Sequence, residues 1–364
     1  MRRELGMLLA VLLLAFCLWL SNHNFLISSN VFDLSRRISM LGIFAIGTSF
    51  VIISGGIDLS VGATIGLTGI IIAKFHHMDT GPFNPVTVGI IAALLVAGLI
   101  GLIQGLLITG LNLQPFIVTL GGMLTVRGVA QIISHGQTVG LGSSSFINMA
   151  NDGLFMFHHN PLLPYPTLIF LAVAVIAAYI LHFTAFGRYV FAIGGNRGAA
   201  EYSGIPVKRI EISTYVISSL TAGIAGVCYA ATIVAMTYNV GTSYELYAIA
   251  AAVIGGVSLR GGEGSVLGAI IGTCMLKLID NGMNLFQIKY RNAAGHRRTW
   301  HLSANWQLFV YGMVILLAVS FDQVAHIYQQ RRKIRNATAP PPRPPSGGVV
   351  ALDSTMIAAA PPPA

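Results

Sequence analysis

Asp58, Ser60, Arg127 and Glu245 are the residues whose type and setting bear most directly on what this chain could do. Each places a polar or charged group inside a long apolar run or at its edge. Hydrocarbon cannot solvate such groups, so in a membrane they face a water-filled path, pair with one another or serve backbone amides. Asp58 and Ser60 belong to Ser54-Gly55-Gly56-Ile57-Asp58-Leu59-Ser60-Val61-Gly62, which reads as a helix end, a glycine break and a new helix start. Either residue could act as N-cap by accepting from the free amides of the new helix. The four residues could thus line or gate a path for a polar solute. A capped turn between two spans accounts for Asp58 and Ser60 equally well.

The motifs of covalent and metal chemistry are missing from the sequence. It holds no G-x-x-x-x-G-K-[ST] phosphate loop, no H-E-x-x-H, no cysteine pair at metal spacing and no nucleophile elbow. We expect no metal, no catalytic residue and no cofactor bound by the chain. Cys17, Cys228 and Cys274 lie within apolar runs and read as small packing residues. His76, His77, His158, His159, His296 and His301 fall in loops and read as solvated. Asp58, Glu245 and Asp280 each lie near a predicted span end, which argues against drive by an ion gradient and suggests that energy enters through another chain.

Two further segments stand out. The polar stretch from Thr184 to about residue 211 contains the longest charged run between spans, and Gly198 to Gly204 can form a short helix suited to a groove on a partner; it also reads as an ordinary charged loop. Glu245 to Gly268 reads as a short helix, a glycine-rich re-entry and a second helix, either lining a path or forming a plain hairpin.

The elements that must position these segments are membrane helices. Hydrophobic residues make up 54% of the 364 positions and charged residues 9%, with a mean hydropathy of +0.74. A water-soluble domain carries about a quarter charged residues, so a soluble fold is excluded. Runs long enough to span about 30 Å of hydrocarbon fall at about 7–26, 38–54, 58–74, 86–110, 116–134, 162–183, 212–236, 243–259, 264–280 and 304–321. The expected fold class is an all-α polytopic membrane protein of about ten transmembrane helices. The net charge of +9 is spread over short loops, which fits helix orientation and not nucleic-acid binding. Arg2 and Arg3 before a retained first helix, and Arg331, Arg332, Lys333 and Arg335 after the last, place both termini in the cytoplasm under the positive-inside rule. The 41 glycines include Gly62 and Gly66, Gly101 and Gly105, and Gly264, Gly268 and Gly272 at four-residue spacing, read as close helix packing. The permease domain is expected over 1–335, with a disordered Pro/Ala-rich tail over 336–364.

Taken together and in order, these segments resemble the sugar permeases of bacterial ATP-binding-cassette (ABC) importers, the ribose, xylose, arabinose and galactose group. The likeness rests on G-I-D-L-S-V-G at Gly56–Gly62, G-G-N-x-x-A-A-x-x-S-G-I at Gly194–Ile205, I-G-G-x-S-L-x-G-G-x-G-S-V-L-G at Ile254–Gly268, P-F-I-V-T-L-G at Pro115–Gly121 and Arg127-Gly128. It implies a multi-pass permease of the ribose-permease type in the bacterial inner membrane, in contact with lipid. It implies a homo- or heterodimeric core, ATPase subunits that use ATP and Mg, and a periplasmic or lipid-anchored sugar-binding protein. Gly194, Gly195, Asn196, Ala199, Ala200 and Gly204 would belong to the loop that receives the ATPase stroke. The chain departs from the family at Gly198, where the wider pattern has Glu before two alanines, and at Tyr247, where it has Asp. The segment Lys289–His301 is longer and more basic than usual. A related amino-acid permease and an ion-coupled transporter are the alternative expectations.

Overall fold

The computed structural model describes residues 2–320 except 79, 143–144, 158–159, 292–296, 302–305, 307–308, 314–315 and 318–319. The chain divides at residues 319 and 320. The second unit, with the tail expected from 336, lies outside the described residues apart from Ser320.

Seven described helices are long and apolar enough to cross a membrane. They are α1 (Arg2–Ser21), α2 (Ser28–Ile53), α4 (Pro85–Leu111), α5 (Pro115–Ser134), α7 (Tyr165–Phe183), α10 (Val207–Ile233) and α12 (Val266–Leu285). Two apolar helices are too short. α3 (Val61–His76) has 16 residues and α11 (Tyr244–Ile254) has 11, so at 1.5 Å per residue they reach only about 24 and 16 Å. Nine of the ten expected spans thus correspond to helices, two of them half-helices. The apolar stretch at 243–259 forms a helix only to Ile254 and then breaks at Gly255-Gly256. Half of the tenth stretch, at 304–321, falls outside the described residues; those described, Trp306, Phe309–Met313, Leu316, Leu317 and Ser320, are helical.

α2 and α10 form the centre. Within its apolar window α2 is 83% buried and α10 61%, whereas α4, α5 and α7 lie at 22–28% and turn most of their apolar surface outward, as lipid-facing helices do. Small residues set the spacing. Gly101 and Gly105 of α4 rest on the backbone of α10 at Tyr215, Val216 and Ile212, and Gly272 of α12 rests on α11 at Ala251, with Gly268 against Gly255 just past its end. For these pairs close helix packing is what the structure shows.

The two ends of the bundle differ. One carries three small antiparallel pairs, β1 (Val139–Gly140) with β4 (Ala235–Met236), β2 (Gly153–Phe157) with β3 (Asn160–Pro164), and β5 (Gln287–Arg291) with β6 (Arg297–His301), together with α6 (Ser145–Asn151). The basic segment expected as an insertion is this last hairpin. The other end carries α8 (Ala185–Gly195) and α9 (Arg197–Tyr202).

Candidate functional site

After α2 ends at Ile53 the chain doubles back through Gly55, whose φ of +89° favours glycine, and runs without helix to Ser60. Asp58 is fully buried in this turn. Its Oδ1 accepts from the Ser60 amide at 2.9 Å and lies 2.7 Å from Ser60 Oγ, and its Oδ2 accepts from Ser218 Oγ of α10 at 2.7 Å. Ser60 Oγ also lies 3.2 Å from Gln104 Oε1 of α4, and its single proton serves one acceptor at a time. Asp58 therefore fastens the start of α3 to α10. Ser60 occupies the N-cap position of α3 but makes no side-chain capping bond. Where capping by Asp58 or Ser60 was expected, the carboxylate instead stabilises the turn before the helix and a neighbouring helix.

The second arm of the site is a re-entrant segment. α10 ends with Val234 in the left-handed region at φ 67°, β4 pairs with β1, and the chain then runs back along α3. Met236 lies against Gly69, the Val240 carbonyl against Gly66, and Gly241 against Gly62. These glycines share one face of α3, and side chains there would fill the groove. The expected helix-on-helix role of Gly62 and Gly66 is corrected here, because their groove holds a non-helical strand of chain. Gly62 lies 14 residues before His76, so the segment descends about 21 Å from that end of α3 before α11 begins.

Glu245 stands in the first turn of α11, 9% exposed, and its Oε2 has no hydrogen-bond partner among the described residues. Arg127 of α5 donates from Nη1 to Thr242 Oγ1 and reaches the Tyr238 carbonyl at 3.5 Å. The four residues singled out in the sequence thus gather at the starts of two half-helices. Ser218, Gln104 and Thr242 complete the group and were not anticipated. Gln104 could have been found as the one amide in an otherwise apolar 27-residue helix, since an amide in hydrocarbon needs a partner.

At the opposite end, Thr184 caps α8 by accepting from the Gly187 amide at 3.3 Å, and Asn196 Oδ1 caps α9 by accepting from the Ala199 amide at 2.9 Å. Gly204 closes α9 at φ +80°, and the Ile205 amide donates to the Ala200 carbonyl at 3.2 Å. Arg197 meets Glu211 through two bonds of 2.8 and 3.2 Å, which raises the guanidinium pKa further. Ala200 is buried, whereas Ala199 is exposed and Tyr202 is 95% exposed. The short helix expected over Gly198–Gly204 forms at Arg197–Tyr202 and presents an aromatic ring to solvent.

A polytopic helical bundle with two half-helices, polar groups at their starts and an exposed two-helix loop at one end defines a membrane permease. The protein family described as "Branched-chain amino acid transport system / permease component" matches residues 30–319. The ribose import permease protein of Escherichia coli (strain K12) is 36% identical over 315 residues, 86% of this chain and 92% of its own length. The ribose import permease protein of Bacillus subtilis (strain 168) is 36% identical over 322 residues, 88% of this chain and 93% of its own length. The L-arabinose transport system permease protein of Escherichia coli (strain K12) is 35% identical over 332 residues, 91% of this chain and 92% of its own length. No solved structure matches the chain. The chain belongs to this family of ABC-importer permease subunits.

Proposed function

We propose that this chain carries a simple, ribose-like sugar across the bacterial inner membrane as the permease subunit of an ABC importer. The observation that carries the proposal is the meeting of Asp58, Ser60, Arg127 and Glu245 at the starts of α3 and α11, part-way through the bundle. Polar groups in a membrane bundle pair with one another, serve backbone groups or line a path. Asp58 is satisfied by Ser60 and Ser218, whereas Glu245 Oε2 has no hydrogen-bond partner among the described residues, which supports a path. The similar proteins named for ribose and arabinose transport support a sugar as solute.

The remaining parts follow from the same reading. Two permease chains form the core, as a homo- or heterodimer. ATPase subunits dock on the loop 184–211, where Gly194, Gly195, Asn196, Ala199, Ala200 and Gly204 shape α8, α9 and the turn after them, and they consume ATP and Mg. The permease itself binds no nucleotide and has no catalytic residue. A periplasmic or lipid-anchored sugar-binding protein docks at the hairpin end, and both termini lie in the cytoplasm.

Reconstitution in liposomes tests the proposal. Sugar uptake is expected only when ATPase, binding protein and ATP are all present. Uptake by the chain alone, or uptake driven by a proton or sodium gradient without ATP, refutes it. The family description favours a second reading, a branched-chain amino-acid importer. ATP-driven uptake of leucine in place of ribose by the same liposomes would establish that reading.

A further inference from the structure

Three segments in or beside the strings that carry the family likeness meet at one point, built from backbone. Gly194 at the end of α8 lies so close to the Ile53 carbonyl and the Gly262 amide that a Cβ there would overlap both. A Cβ on Gly261 would come within 3.0 Å of the Cα atoms of Gly194 and Gly55. The Gly262 amide donates to the Ile53 carbonyl at 2.8 Å. Gly261 and Gly262 hold φ of +83° and +75°, which favour glycine. The loop end of the bundle thus joins α8, the α2–α3 break and the α11–α12 turn, with no side chain between them to yield when one segment is pushed.

We propose that Gly55, Gly194, Gly261 and Gly262 form a transmission joint that carries displacement of the 184–211 loop to the starts of α3 and α11. Two routes leave the joint. Three residues lead from Gly55 to Asp58, whose carboxylate holds the start of α3 and Ser218. From Gly255 the 11-residue α11 runs as a rod to Glu245, braced by Gly268 and Gly272 of α12. A shift of α8 therefore moves both polar arms of the site together. The four glycines are positioning residues: they touch no solute and act through the half-helices.

The proposal rests on the reading of the 184–211 loop as the ATPase contact, and the test separates the two. The complete complex of permease, ATPase and binding protein is reconstituted in liposomes with Gly194→Ala or Gly110→Ala. A Cβ at Gly110, in α4 and outside the 184–211 loop, meets nothing within 4 Å, which makes that variant the control. Gly110→Ala is expected to match the unsubstituted complex. Gly194→Ala is expected to assemble and hydrolyse ATP, while sugar imported per ATP falls about tenfold, the size of a lost inter-site coupling. Unchanged sugar per ATP in Gly194→Ala overturns the joint, as does a parallel fall of uptake and hydrolysis.

Hydrogen exchange on the unsubstituted complex decides the matter if Gly194→Ala fails to assemble. The Gly262 amide should stay protected in both the nucleotide-free and ATP-trapped states, because a rigid joint moves without opening. Loss of protection in either state overturns the joint. Absence of ATP-dependent uptake in the unsubstituted complex overturns the functional reading instead, and the exchange measurement still tests rigidity.

Discussion

Gly62→Ala tests the re-entrant segment most directly. A Cβ built on Gly62 falls on the carbonyl oxygen of Gly241 and 2.7 Å from Glu245 Oε2, whereas real Cβ atoms essentially never come within 3.0 Å of a neighbour. The Gly241 obstacle is backbone and cannot rotate away, so the segment must back off by about an ångström to reach ordinary contact. Overpacking of this kind costs about 1–3 kcal/mol. It also drags Thr242 and the first turn of α11 with it, separating Arg127 from its partners. A misplacement of about 1 Å at a working site lowers rates about a hundredfold. We expect ATP-driven uptake by Gly62→Ala to fall between tenfold and a hundredfold, with a thermal midpoint lowered by about 2–4 °C per kcal/mol in detergent. Gly66→Ala should behave alike, since its Cβ would lie 2.7 Å from the Val240 carbonyl. Gly121→Ala on the open face of α5 meets nothing within 4 Å and should leave both readings unchanged. Normal uptake and an unshifted midpoint in Gly62→Ala would refute the packing of residues 236–241 on α3.

Neighbouring serines on α10 should respond differently. Ser218→Ala leaves Asp58 Oδ2 without its donor and should lower stability by about 1–3 kcal/mol. Ser219 Oγ has no hydrogen-bond partner among the described residues, so Ser219→Ala should be neutral or slightly stabilising in the same thermal assay. In α12, Lys277 Nζ sits 2.8 Å from Asp280 Oδ2 and 5.8 Å from the Tyr247 and Tyr311 rings. Asp280→Ala should destabilise by about 3–5 kcal/mol by stranding the lysine, and Lys277→Met with Asp280→Leu should recover most of that loss. Tyr202→Ala removes the exposed ring of α9, and ATPase binding to the permease in nanodiscs should weaken by about 2 kcal/mol, or roughly thirtyfold.

Composition and run length already disclose a helical membrane protein, because a span is a local property of about 20 consecutive residues. The Gly55-Gly56 break was also visible, and so was the order of short helix, glycine-rich stretch and second helix over 245–268, which α11 and α12 bear out. The end of α11 at Ile254 was not, because the apolar run continues to 259, past the point where the helix stops. Asp58 was recognisable as a polar residue in an apolar setting, but its partner was not: Ser218 lies 160 residues away and looks like any helix serine.

Local pattern thus decided the membrane class, the approximate spans and the segments that carry the family likeness. Tertiary structure decided what those segments do to one another. Glycine spacing alone cannot say whether a groove will hold a helix or a strand of chain, since both need only the absence of Cβ. At Gly101 and Gly105 the groove holds a helix; at Gly62 and Gly66 it holds the re-entrant segment. Nor does any sequence period record that Gly194, Gly55 and Gly261 converge. Their contact is between backbones far apart in sequence, and it exists only once α2, α8 and α11 have packed. The polar residues noticed first, Asp58, Ser60, Arg127 and Glu245, owe their common location to that packing.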